Sequence, residues 1–477
     1  MYINGEWLKT ESELEIKNPA TGEIVDTVYL VGKTETKRAI DAAKEAFPLW
    51  SGLTSEERSN HIHNVVAKLE EKKEHLAQVI TREMGKSIHN ARYEVGSTIS
   101  FFKWYAEEAR RVYGDVMPIS TKNKRAHVIK QPVGVVAAIT PWNFPLSMGA
   151  RKLGPALAVG CTVVLKPSSE APLSSLELFK IFDEAGLPKG VVNLVIGKSE
   201  EIAQIIMDSK DVRKITFTGS TEVGKHLIRQ SADTVKQISM ELGGHAPFIV
   251  FDDADLDLAV QGVIGSKFAS SGQQCVCTNR VYVQEAVYEE FAEKFKTAVG
   301  KMKVGNGLDE TNQMGSLVNE KAVNSVHSQV VDAVDKGAKV LVGGKKLKGN
   351  EYSKGYFYAP TVLGNVTEDM DITKVETFGP VAPLISFVTE AEAVQKANDI
   401  EYGLASYFYT NDLSRVHRVS EKLEYGMVGV NDSAPFSMQA PFGGIKESGL
   451  GRESGKYGLE DYLTTKAVSV MFNTEEG

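Results

Sequence analysis

Ser271-Gly272-Gln273-Gln274-Cys275-Val276-Cys277 sets a thiol in an uncharged, glycine-flanked loop, which makes Cys275 a candidate nucleophile. Met240-Glu241-Leu242-Gly243-Gly244 brings a carboxylate to the end of a β-type run, which makes Glu241 a candidate general base. Thiolate, not thiol, attacks a carbonyl carbon. No lysine or arginine adjoins Cys275, so activation falls to backbone amides or to Glu241 through a water. Attack creates an oxyanion, and a positioned amide stabilises it. Asn143, in Thr140-Pro141-Trp142-Asn143-Phe144-Pro145, carries such an amide, and the Cys275 N–H is a second donor. Gly219-Ser220-Thr221-Glu222-Val223-Gly224 follows a strand and opens a helix, where backbone N–H groups hold phosphate. The usual Gly-x-Gly-x-x-Gly spacing is absent there.

Each segment has an ordinary explanation when taken alone: a structural thiol, a turn asparagine, a strand-end glutamate, a loop. Together they fit attack on an aldehyde, hydride transfer to a nicotinamide ring, and thioester hydrolysis by water activated at Glu241. Lys166 ends the run Thr162–Lys166 and suits a ribose hydroxyl. Glu376-Thr377-Phe378-Gly379-Pro380 sets a second ribose partner beside an aromatic wall.

These residues need elements to position them. The first ~120 residues read as mostly helical, with a Thr54/Glu57 capping box and a stop at Gly85. From Val133, β-branched runs alternate with amphipathic helices. The runs are Val133–Ile139, Thr162–Lys166, Val192–Ile196, Lys214–Phe217 and Gln237–Leu242. The expected helices are Leu146–Leu157, Ser174–Glu184, Glu200–Met207 and Glu222–Ser231. Such alternation predicts a parallel sheet with crossover helices and ligands at the carboxyl ends of its strands. Asn143, Lys166, Gly219 and Glu241 share that address. A second series follows: Pro247–Phe251, helix Leu256–Ala269, strand Arg280–Val283 and helix Val287–Ala298. The β-rich segment Thr464–Met471 reads as a terminal strand that pairs with another subunit.

A chain of 477 residues predicts two or three domains. The net charge of −8 argues against nucleic acid as a partner. No basic start precedes an apolar stretch, and no apolar run approaches the ~18 residues that span a bilayer. A cytoplasmic enzyme is expected. The three cysteines form no disulfide framework, Cys161 reads as a buried inert thiol, and no metal site is expected.

In this order the segments resemble the aldehyde dehydrogenase superfamily from end to end. Asn18-Pro19-Ala20-Thr21-Gly22, Phe442-Gly443-Gly444-Ile445-Lys446 and Gly451-Arg452-Glu453 belong to the match, as does the separation of 34 between Glu241 and Cys275. The resemblance implies an α/β fold: a Rossmann-type cofactor domain (1–119 and 139–243), an α/β catalytic domain (244–440), and a small bridging β element (120–138 and 457–477) for a homodimer or homotetramer. It implies Cys275 as nucleophile, Glu241 as base and Asn143 as oxyanion donor. It implies cofactor contacts at Thr140, Pro141, Trp142, Lys166, Ser168, Ser169, Gly219, Ser220, Val223, Leu242, Glu376 and Phe378, and a proton-relay role for Glu453.

Within the superfamily the chain is most similar to succinate-semialdehyde dehydrogenases. That implies substrate-carboxylate contacts at Arg151 and Ser437 and a reversible disulfide between Cys275 and Cys277. Ala269 stands where that branch carries a second arginine, and such a contact is worth ~1.5–3 kcal/mol. Lactaldehyde or glycolaldehyde is therefore an alternative substrate. Ser169 stands where NAD-selective relatives carry a glutamate that repels a 2′-phosphate by ~4 kcal/mol at ~4 Å. The cofactor is NADP or NAD, with NADP favoured unless the adjacent Glu170 turns inward. A coenzyme A-acylating dehydrogenase and a non-catalytic binding protein are the rival readings.

Overall fold

The computed structural model describes residues 1–473. Residues 474–477, the tail of the expected bridging element, lie outside the described residues. The chain has the expected α/β fold.

Five parallel strands form the centre of an eight-stranded sheet. In spatial order they are Val192–Leu194, Thr162–Lys166, Val135–Ile139, Val212–Thr218 and Gln237–Glu241. Numbered along the chain this is 3-2-1-4-5, which reverses between Val135–Ile139 and Val212–Thr218. Reversal opens a crevice at the carboxyl ends. Both sheet faces are buried. Val136, Ala138, Val163 and Leu165 join one core cluster, and Val135, Ala137, Ile139 and Val164 join the other. Helices α1 (Lys33–Gly52), α2 (Ser55–Glu71), α3 (Lys73–Met84) and α4 (Ile88–Glu108) precede this sheet. The crossovers are α5 (Ser147–Val159), α6 (Leu173–Glu184), α7 (Ser199–Asp208) and α8 (Thr221–Ser231). The Thr54/Glu57 capping box forms, and Gly85 ends α3 at φ 88°.

A second, seven-stranded sheet is parallel except at Lys339–Val342. Its strand Ala246–Val250 leads into α9 (Leu256–Phe268), and Thr278–Gln284 follows the Cys275 loop. The expected helix Leu256–Ala269 stops one residue early. Ala269–Gly272 is a 3₁₀ turn in which Ser270 (φ 50°) and Ser271 (φ 59°) are left-handed, folding the chain back sharply ahead of Cys275.

Three expectations change. The run Val133–Ile139 begins as a strand only at Val135, because Gly134 (φ 123°) breaks the extended path. The mostly helical first ~120 residues also hold five short strands; two of them, Tyr2–Ile3 and Glu6–Trp7, extend the first sheet through Leu194. Two-residue strands leave no periodicity to read. The terminal strand, Leu463–Met471, already has a partner in its own chain, pairing antiparallel with Lys124–Pro132. Among the described residues its other edge carries no strand, and no helix is long and apolar enough to cross a membrane.

Candidate active site

A cavity of about 560 Å³ lies where the carboxyl ends of the first sheet face the Cys275 loop. Cys275, Asn143, Pro141, Trp142, Arg151, Gly219, Ser220, Leu242, Glu376, Phe378 and Ser437 line it, as does Ala269. The remaining expected residues stand behind or beside that wall.

Glycines bring the thiol and carboxylate segments together. A Cβ on Gly244 would lie 2.3 Å from the Cys275 carbonyl oxygen, so only glycine admits this approach. The loop is also held where Tyr407 Oη donates to the Val276 carbonyl at 2.8 Å. The Asn143 Nδ2 donates to the Gln273 carbonyl at 3.0 Å, which fixes the amide plane and leaves its second N–H for an oxyanion.

Burial pushes the Cys275 thiol up to about 12, and Arg151 opposes that rise while Glu376 and Glu241 add to it. The cation that favours the thiolate therefore comes from a distant helix, α5, not from a sequence neighbour.

Glu241 does not line the cavity. It is buried, and its Oε2 has no hydrogen-bond partner. Burial first and Glu453 second push its carboxyl well above the usual range, against Lys152, Arg151 and Arg452. Glu453 accepts from Lys152 Nζ at 2.6 Å and lies 3.7 Å from Arg151. The Arg151 guanidinium rests 4.0 Å from the Phe442 ring centroid, and its Nε has no partner. Ser437 Oγ, at the exposed rim, accepts from the Ala440 N–H.

The expected cofactor residues follow the crevice. Ser220 caps α8, its Oγ accepting from the Val223 N–H at 3.4 Å, and Val223 is exposed on the first turn. Leu242 packs so tightly under this helix that a Cβ at Gly224 would meet it at 2.3 Å. Lys166 Nζ reaches Ser199 Oγ at 2.5 Å, and burial lowers its ammonium to about 8. Thr140 Oγ1 and Thr218 Oγ1 are buried without partners. Ser168 accepts from the Glu170 N–H; Ser169 is half-buried and Glu170 exposed. Glu376 accepts from the Gly244 N–H, and burial raises its carboxyl to about 7. Phe378 (φ 48°) meets Trp142 edge-on at 5.5 Å. An open helix N-terminus, orphaned hydroxyls, a buried ammonium and a buried carboxylate in one crevice fit a dinucleotide.

Cys277 is fully buried, outside the cavity lining, with its Sγ 3.4 Å from Lys267 Nζ. Among the described residues no cluster of histidine, cysteine and carboxylate side chains is arranged to hold a metal.

Sequence reasoning missed Lys86, Glu94, Lys152, Ser199 and Gln273. A signal existed for Glu94, which falls in register with Ala91, Val95 and Thr98 on the buried face of α4. A carboxylate in that row is rarely idle.

A model of the aldehyde dehydrogenase family matches residues 7–468. The chain is 52% identical over 471 residues to glutarate-semialdehyde dehydrogenase of Pseudomonas putida, covering 98% of this chain and 97% of that protein. It is 50% identical over 470 residues to the NADP(+) succinate-semialdehyde dehydrogenase GabD of Escherichia coli, covering 98% and 97%. The crystal structure of succinate-semialdehyde dehydrogenase from Burkholderia pseudomallei superposes with a TM-score of 0.97 at 49% identity, covering 99% and 97%.

Proposed function

Because the chain belongs to the aldehyde dehydrogenase family, we propose that it oxidises a small aliphatic aldehyde bearing a terminal carboxylate, with NADP as the favoured hydride acceptor. Succinate semialdehyde and glutarate semialdehyde define the substrate class. One observation carries this reading: a buried arginine, Arg151, lines the cavity that holds Cys275 and keeps an unpartnered Nε. Its ion pair with Glu453 is long, at 3.7 Å, and the unsatisfied Nε–H gains a partner when a substrate carboxylate reaches it. Ala269 supplies no second cation and leaves room beside the tail, which suits a chain longer than that of succinate semialdehyde. The same residue supports a second reading, a neutral hydroxyaldehyde such as lactaldehyde or glycolaldehyde.

Cys275 gives its thiol proton through a water to Glu241 and attacks the carbonyl carbon, and the free N–H of Asn143 with the Cys275 N–H holds the oxyanion. When bound, NADP would supply the hydride acceptor for this carbon. Glu241 passes that proton on to Glu453, beside Lys152, and then takes one from the water that attacks the thioester, so that the C–S bond breaks, the acid leaves and Cys275 is restored. Hydrolysis by a carboxylate disfavours transfer of the acyl group to coenzyme A. Lys166, Ser199, Ser168 and Ser169 would hold the adenosine ribose, the N-terminus of α8 at Ser220 and Val223 the pyrophosphate, and Glu376 the second ribose.

We read residues 1–119 and 139–243 as the cofactor domain, 244–440 as the catalytic domain, and 120–138 with 457–477 as the oligomerisation element. Exposed Val116, Met117, Ile129, Val470 and Met471 around the three-stranded sheet support docking of a second copy. Three free cysteines suit a reducing cytoplasm. The test is kcat/KM for succinate semialdehyde, glutarate semialdehyde, lactaldehyde and pentanal, with each cofactor. Preference for the two semialdehydes supports the reading; preference for pentanal or lactaldehyde overturns it.

A further inference from the structure

Two charges are buried where the proposed chemistry has no use for them. Lys86 and Glu94 are 0% and 1% exposed. Lys86 Nζ donates to Glu94 Oε2 at 2.7 Å and to the Asn143 carbonyl oxygen at 2.8 Å, and lies 3.8 Å from the Phe144 ring centroid. The other oxygen, Glu94 Oε1, accepts from the Leu146 N–H at 2.9 Å and the Ser147 N–H at 3.2 Å. These are orphan donors at the start of α5.

We infer that Lys86 and Glu94 form a buried clamp whose function is to position Asn143 as oxyanion donor. This rests on the oxyanion reading of Asn143. Lys86 fixes the peptide that carries the amide, and Glu94 ties that peptide to the first turn of the helix carrying Arg151. Gln273 holds the other end through Asn143 Nδ2. The side chain is thereby fixed from both directions, and one N–H remains directed by geometry alone. A buried ion pair is a poor source of stability, since well-packed apolar residues commonly replace one without loss. Placement of a reacting group is a better reason to keep it, because a displacement of ~1 Å costs ~10²-fold in rate.

The test is a double-mutant cycle read as the single-turnover rate of cofactor reduction with glutarate semialdehyde and NADP. Lys86→Met should slow hydride transfer about 10- to 100-fold and leave cofactor affinity unchanged. In the Asn143→Ala background the same change should cost less than about twofold, because the group it positions is gone. Glu94→Gln keeps an acceptor for α5 and removes the charge that holds Lys86. It should behave alike, and it serves if Lys86→Met does not fold. Equal slowing with and without Asn143, or a lowered thermal midpoint with an unchanged rate, overturns the clamp. An unimpaired Asn143→Ala single variant overturns the oxyanion assignment as well.

Discussion

Lys152 donates to Glu453 across 2.6 Å, and this buried pair stands directly behind Glu241. The two residues lie on α5 and near the chain end, 301 positions apart. Their charges oppose each other at Glu241: Glu453 raises its carboxyl and Lys152 lowers it. Glu241 accepts a proton from water only when ionised, so turnover limited by hydrolysis rises with pH through its titration. Glu453→Gln removes a raising charge, and the acid limb of the kcat–pH profile should move to lower pH. Lys152→Met removes a lowering charge, and the limb should move to higher pH. Shifts in the reverse sense would contradict this coupling.

Among the described residues that line the cavity, Arg151 is the one cation, and it is proposed to hold the substrate tail. Arg151→Met should lower kcat/KM for succinate and glutarate semialdehydes by ~10- to 150-fold, corresponding to ~1.5–3 kcal/mol. Pentanal should lose far less. Ala269→Arg should improve the succinate/glutarate ratio, because it fills space and adds a charge. Steady-state constants on the three aldehydes check both.

The proposed preference for NADP rests on Ser169, three positions after Lys166. Ser169→Glu should shift preference from NADP toward NAD, with repulsion of a 2′-phosphate reaching ~4 kcal/mol at ~4 Å. The exposed Glu170 offers no such repulsion in the native chain. The ratio of kcat/KM for the two cofactors is the measurement.

Glu376 predicts a stability effect. Burial raises its carboxyl from the ordinary 4.5 to about 7. The folded state therefore holds a proton that the unfolded state releases, and stability falls as pH rises from 4.5 through about 7. Glu376→Gln keeps an acceptor for the Gly244 N–H and removes the penalty. Its stability should match the native chain near pH 4 and exceed it by on the order of 3 kcal/mol above pH 7. Denaturant midpoints across that range test the sign.

The sequence was legible where local chemistry speaks. Thr162–Lys166 was read to the residue, because a β-branched run between turns has one interpretation. Of the four residues given a strand-end address, Asn143 and Gly219 line the cavity and Lys166 and Glu241 do not, while Cys275 was joined to them by its chemistry and the resemblance. What stayed hidden was long-range. Nothing near Cys275 announces that Arg151, 124 positions earlier, supplies its cation. The sequence analysis assigned no role to Lys86, Glu94 or Lys152, because burial of a charge depends on partners that only the fold brings near. The terminal strand was legible locally, but only the resemblance joined 457–477 to 120–138, since pairing of Leu463–Met471 with Lys124–Pro132 across some 330 residues leaves no local trace.

The covalent bond at Cys275 is the centre of the account. Intact-mass analysis of Glu241→Gln, quenched during turnover of glutarate semialdehyde with NADP, measures it most directly. An added acyl group should map to the peptide bearing Cys275 and accumulate in step with reduced cofactor. Reduced cofactor without any acylated protein would contradict it.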